Sequence, residues 1–147
     1  MNALMTAIVL WLAANFDLPA TSEHPRVEFV PPATITALRN KDSAGGQPSP
    51  AEKAGQRETV AVYDDATSTI YLPEGWNGNT PAQLSVLVHE MVHHLQNRGK
   101  LKFECQRARE KLAYQAQEQW LQLFGHDLER DFEIDPFTRL VISSCYF

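Results

Sequence analysis

This chain has no surplus of positive charge, no apolar run of membrane-spanning length and no internal repeat, and each absence removes a class of function. Its 13 Lys and Arg are outnumbered by 18 Asp and Glu, for a net charge of −5. The basic residues form no stripe, so a phosphate backbone is not an expected partner and nucleic acid is set aside. Arg98, Lys100, Lys102, Arg107, Arg109 and Lys111 do lie close together. They straddle a helix end, where cations offset the helix dipole and sit on solvated surface.

The opening segment Met1 to Phe16 is apolar but has no Lys or Arg ahead of its apolar run. It also lacks a clear small-x-small cleavage site before Asp17-Leu18-Pro19, so it does not read as a signal peptide. About 16 residues is short for a membrane span, and no transmembrane segment is expected. Ala7, Leu10, Trp11 and Ala14 recur at helical spacing and predict an N-terminal helix packed on the sheet. Between Asn40 and Arg57 there is no large apolar residue at all, which predicts a flexible loop rather than a linker, because too little chain precedes it for a second domain. With 147 residues, 44% of them hydrophobic, the chain is expected to be one domain, 1–147, able to bury a core.

Against these absences stands the run Val88-His89-Glu90-Met91-Val92-His93-His94, an H-E-x-x-H set within an apolar, helix-patterned segment. Two imidazoles four positions apart lie about 40° from each other around a helix, so both can reach one ion in front of one face. Glu90 falls near that face, where a carboxylate takes a proton from an activated water without ligating the metal. Thr80-Pro81-Ala82-Gln83 reads as a capping box with proline in the first turn, and Gly99 reads as the stop. Leu84, Leu87, Val88, Met91, Val92 and Leu95 make the helix between them a core element. A pair of hydrogen-bonded core histidines would give the same bare pattern. His94 is turned about 140° from the His89 face and is expected to point elsewhere.

Two histidines and a water leave a tetrahedral zinc site one protein ligand short. A second helix is predicted from about Leu101 to Phe124, ending at Gly125, with Glu104, Glu110 and Glu118 as candidate acids. Glu104 is suited to the first turn and its dipole, and Glu118 lies two turns past Glu110. An antiparallel return brings Glu110 beside the histidines, on one stripe with Ala113, Tyr114, Gln117 and Leu121. The competing reading of Glu110 is a surface acid paired with Arg107 or Arg109.

His89-Glu90-Met91-Val92-His93, a short loop, and then Glu110-Lys111-Leu112-Ala113-Tyr114 resemble the gluzincin branch of the zincin metallopeptidases, especially its small single-domain members. The resemblance covers about Glu58 to Gly125. It implies an α+β fold: a small zincin-like domain with a short mixed or antiparallel sheet packed on an active-site helix and a following glutamate helix. It implies one Zn2+ ion held by His89, His93 and Glu110, with Glu90 as general base. Ala113, in the E-x-x-A pattern, would let the two helices approach closely. His126 or Tyr114 would be the group that steadies the substrate oxygen.

Thr59 to Tyr63 and Ser68 to Leu72 read as a hairpin about Asp64-Asp65-Ala66-Thr67, and Arg26 to Val30 as a further strand closed by Pro31-Pro32. Thr34 to Arg39 reads as a short helix. The resemblance makes the strand before the metal helix, with Thr69, Ile70 and Tyr71, a sheet edge that pairs with a peptide substrate; a plain sheet strand is the alternative. Pro73 to Asn79 is a turn-rich loop in which Trp76 is expected to cap the core.

The two cysteines, Cys105 and Cys145, allow a disulfide, two free thiols, or Cys145 as an inhibitory fourth zinc ligand. The disulfide is preferred, because Leu140-Val141-Ile142 gives the tail an apolar anchor. A disulfide points outside the cytoplasm, whereas the missing signal sequence points inside it. The expected function is zinc-dependent hydrolysis of peptide bonds in a peptide or protein substrate. The alternatives are a zinc-binding fold without turnover, as an interaction module or a form kept latent by its own tail, and a helical binding protein without metal.

Overall fold

The computed structural model describes residues 1–41 and 61–146. Most of the segment expected to be a loop, and the first residues of the expected strand at Thr59, lie outside them. Helix α1 (Asn2–Phe16) buries Met5, Ile8, Val9 and Leu12, a stripe at helical spacing that meets the core. The expected stripe is the wrong one. Ala7, Leu10 and Ala14 face solvent and Trp11 is only partly covered. A helix apolar on nearly every side gives no signal for which face turns inward.

Strand β1 (Arg26–Val30) leads through Pro31 to α2 (Pro32–Lys41), two residues longer at each end than expected. The Pro31 carbonyl accepts from the backbone N–H of Thr34, and Pro32 occupies the first turn, where its missing donor costs nothing. Strands β2 (Val62–Asp64) and β3 (Thr69–Pro73) form the expected hairpin. In its turn, Asp64 accepts from the Ala66 N–H and the Thr67 hydroxyl.

The order of the three strands is β1-β3-β2, with β1 parallel to β3 and β2 antiparallel to it. β3 is therefore the centre of the sheet and not its edge. Val27 and Tyr63 flank Ile70 on its two sides, so the backbone of Thr69, Ile70 and Tyr71 is already paired and has no side left for a peptide.

Helix α3 (Pro81–Arg98) carries the H-E-x-x-H run. Every residue from Ser85 to Gln96 is buried, as befits an element touched by α1, β2 and α4 at once. Thr80 accepts from the Gln83 N–H as expected, but the box is only half made. The Gln83 side chain instead accepts from the N–H groups of Asn77, Gly78 and Asn79, closing the preceding loop. Gly99 ends the helix for an unexpected reason. Its own backbone is right-handed and Lys100 takes the left-handed conformation. A Cβ on Gly99 would sit 2.8 Å from the Pro19 ring, so close approach is what requires glycine there.

The second helix, α4 (Ala108–Gln122), begins seven residues later than Leu101. The intervening stretch is a connection pinned by the disulfide Cys105–Cys145, with Cα atoms 5.8 Å apart and within the separation expected of a bonded pair. Two short helices follow, α5 (Leu128–Phe132) and α6 (Pro136–Ile142), capped by Asp127 and Asp135. Ile8, Leu12, Ile70, Leu72, Leu87, Met91, Leu95, Leu121 and Leu128 are wholly buried and join α1, the sheet, α3, α4 and α5 in one core. The result is a small α+β domain. No helix of the described residues is long and apolar enough to cross a membrane.

Candidate metal centre

Antiparallel packing of α3 on α4 sets the first turn of α4 against the middle of α3. The site's residues meet there. His89 Nε2 lies 2.8 Å from one Glu110 oxygen and His93 Nε2 lies 3.1 Å from the other. One ligand atom from each of the three falls within 4.8 Å of the others. His89 and His93 are buried and Glu110 nearly so.

The outer ring nitrogens show which atoms carry protons. His89 Nδ1 is 2.9 Å from Gln117 Oε1, and Gln117 Nε2 donates to Ser85 Oγ. Ser85 spends its own hydroxyl proton on the Ala82 carbonyl, so it can only accept from Gln117. That fixes the amide with its oxygen toward His89, and His89 Nδ1 must be the N–H. His93 repeats the logic. Its Nδ1 is 2.8 Å from Gln96 Oε1, while Gln96 Nε2 donates to the Arg109 carbonyl, which accepts only.

Both neutral rings therefore aim an Nε2 lone pair at a carboxylate that also has nothing to donate. Three acceptors converge there, and a cation among them would relieve their mutual repulsion. In the metal-free protein a proton on His93 meets the need at one of the two contacts. Burial works against charging His93, but the adjacent Glu110 carboxylate and then Glu90 outweigh it and push its pKa up to about 9. Burial likewise works against ionising Glu110, and the charges and hydrogen bonds of His93 and His89 hold it well below the ordinary carboxylate range. A divalent ion would meet the same need. Two imidazole nitrogens and one carboxylate are a donor set typical of catalytic zinc, so these residues fit that ion.

Glu90 is 6% exposed and forms no hydrogen bond with any described residue, although its charge is felt at His93. The Tyr114 ring packs edge-on against His89 with centroids 4.5 Å apart, so this candidate is at the site.

The expectations for His126 and for Glu104 in the first turn need correction, whereas Glu118 lies away from the site as expected. His126 pairs with Asp131 at 2.8 Å beyond the far end of α4, about 18 Å along the helix from Glu110, and does not belong to the site. Glu104 precedes α4 and bonds the Tyr146 hydroxyl. Glu118 accepts from the Leu128 N–H and pairs with Arg139, holding α5 and α6 onto α4. Gln96 and Gln117, which hold the two imidazoles, carry no metal-ligating or catalytic signature in the sequence. Gln117 lies on the Glu110 stripe and Gln96 one turn past His93, and that spacing is the only signal the sequence carries. Arg109, a rival partner for Glu110, instead pairs through both guanidinium nitrogens with Asp65 in the β2–β3 turn.

Fold and site together define a small α+β domain with a buried two-histidine, one-glutamate cluster. The chain belongs to the family described as a domain of unknown function, DUF6647, whose family model matches residues 1–135. No curated protein and no solved structure matches the chain.

Proposed function

We propose that the chain is a zinc-dependent metallopeptidase of the gluzincin type. The observation that carries this reading is the convergence of His89 Nε2, His93 Nε2 and both Glu110 oxygens with no proton donor among them in their neutral and ionised forms. These three would hold one zinc ion. When bound, zinc would supply Lewis acidity to the scissile carbonyl and to an attacking water. Glu90 accepts the water's proton and passes it to the departing amine. The cluster lies between two helices rather than on loops, which keeps its geometry rigid.

A peptide or protein substrate cannot pair with β3, so the free strand sides among the described residues are those of β1 and β2. The Cys105–Cys145 bond favours an oxidising compartment outside the cytoplasm.

The test is zinc content and hydrolysis of an unfolded protein, with chelator and zinc-restoration controls. One zinc per chain, hydrolysis abolished by chelation, and Glu90→Gln retaining zinc while losing about 10²- to 10⁴-fold in turnover are the expected results. Zinc without hydrolysis would leave a zinc-binding fold that does not turn over. No zinc would leave a helical binding protein and end the metallopeptidase reading.

A further inference from the structure

We infer that Gln117 and Gln96 are positioning residues for the metal, each locking one imidazole as the Nδ1–H tautomer with its Nε2 aimed at Glu110. The inference rests on the reading of His89, His93 and Glu110 as a metal site. It goes beyond that reading by assigning the aim of the ligands to two neutral amides.

Both glutamines are buried, at 4% and 1% exposure, in a helix pair where an apolar side chain would pack at less desolvation cost. Each is satisfied at both ends of its amide, and the partner of the amide nitrogen permits one orientation only. Ser85 Oγ has no proton left for Gln117, and the Arg109 carbonyl never has one for Gln96. The two links run in opposite directions between the helices. Gln117 reaches from α4 to His89 on α3, and Gln96 reaches from α3 to the backbone of α4 one residue before Glu110. The histidines and the glutamate are thereby tied together whether or not an ion is present.

An amide also suits the charge of the site. Glu110 and Glu90 already bring two carboxylates beside the histidines. A carboxamide oxygen accepts from Nδ1–H without adding a third. Gln117 carries the stronger test, because its partner chain from His89 to Ser85 is made of replaceable side chains.

The experiment measures the zinc affinity of the full chain by competition with a chromophoric chelator, and the visible spectrum of the Co2+-substituted protein. Circular dichroism and thermal melting in chelator monitor the fold. For Gln117→Leu, which keeps the volume and removes the acceptor, the expected loss of zinc affinity is about 10- to 100-fold, with an altered Co2+ spectrum. Gln117→Glu keeps an acceptor for Nδ1–H but adds a third carboxylate and gives up the donor to Ser85, so it is expected to lose less affinity than Gln117→Leu while keeping the wild-type spectrum.

A folded Gln117→Leu protein with wild-type zinc affinity overturns the inference. So does equal loss in the Leu and Glu variants, since that is the mark of packing alone. If Gln117→Leu does not fold, Ser85→Ala serves. It frees the Gln117 amide to turn over, and a several-fold loss of affinity is expected; no loss overturns the inference. A wild-type chain that binds no zinc fails the metal reading itself, an outcome distinct from all of these.

Discussion

His93 and His94 are neighbours in the chain, and α3 turns them toward two different parts of the molecule. On the α4 side, His89 and His93 are held by glutamines at Nδ1 and present lone pairs to a carboxylate. On the side facing the hairpin and the N-terminal segment, His94 is complete as a neutral ring. Its Nε2–H donates to the Glu23 carbonyl at 2.7 Å, and its Nδ1 accepts from the Tyr63 hydroxyl at 2.9 Å. Tyr63 in turn accepts from Asn97, which also reaches the Asp65 carbonyl. Burial lowers the His94 pKa, whereas the Glu110 carboxylate raises that of His93. Both rings are buried, so burial does not separate a structural histidine from a ligand. The count of donors and acceptors does: His94 has one of each to match its two nitrogens, and the His89–His93 pair is short by a cation.

The strongest way to break this contrast is to remove the carboxylate. Glu110→Ala takes away one of the three proposed ligands and leaves two imidazoles that no longer converge on a charge. Zinc affinity is expected to fall by at least about 100-fold, on the order of 3 kcal/mol, and the stabilisation of the fold by added zinc should shrink with it. Equilibrium dialysis against a zinc buffer measures it. If Glu110→Ala keeps zinc while Glu104→Ala or Glu118→Ala releases it, the two faces of α3 have been assigned the wrong acids. Neither outcome is expected of the latter two variants, because Glu104 and Glu118 are committed to Tyr146 and to α5 and α6.

The reciprocal variant lies on the other face. His94→Ala strands the Tyr63 hydroxyl proton and the Glu23 carbonyl and opens a void beside α3. The expected cost is about 1–3 kcal/mol of stability from the unpaired groups, with zinc affinity within about twofold of wild type. Denaturant unfolding and zinc titration on the same preparation decide it. A His94 variant that loses zinc as steeply as Glu110→Ala would erase the distinction between the faces.

Much of the α4-facing side was legible in the sequence, because helical spacing is a local rule. The H-E-x-x-H pair, the cap at Thr80, the stop at Gly99 and the placing of Glu110 opposite the histidines need only period and loop length. The cysteine pairing followed from the apolar anchor in the tail. What local rules do not contain is which strand lies between which. β1 comes to pair with β3 from some forty residues upstream, and the resemblance that makes β3 an edge does not contain that pairing. Two hints were present: Thr69-Ile70-Tyr71-Leu72 has no charge, and Arg26-Val27-Glu28 alternates charge as edge strands do. The start of α4 is not legible locally, because residues 101–107 are helix-forming in composition yet stand in a connection tied down by the Cys105–Cys145 bond. The Gln83 side chain likewise left its capping box for three loop N–H groups offered by Asn77 to Asn79.

The smallest expected effect is a pair of opposite slopes in the stability of the metal-free protein. His93 has a raised pKa in the folded state, so its contribution is complete below the unfolded value near 6.5 and is lost as pH rises toward about 9. His94 has a lowered one, so its contribution is complete above 6.5 and is lost as pH falls below it; in stronger acid the depressed carboxyl of Glu110 adds to that loss. The two faces of α3 thus place the stability maximum of the chelated protein near pH 6.5, with the alkaline limb belonging to the ligand side and the first acid limb to the other. Zinc should remove the alkaline limb, because it takes the place of the proton among His89, His93 and Glu110 and binds better as those protons leave. Melting temperatures between pH 5 and 9, with chelator and with zinc, check both halves. Glu110→Gln should flatten the alkaline limb and spare the acid one near 6, since His94 keeps its partners. A chelated wild-type protein whose stability rises steadily from pH 6.5 to 9 would mean that no proton is held between His93 and Glu110, and the argument that this cluster demands a cation would fall with it.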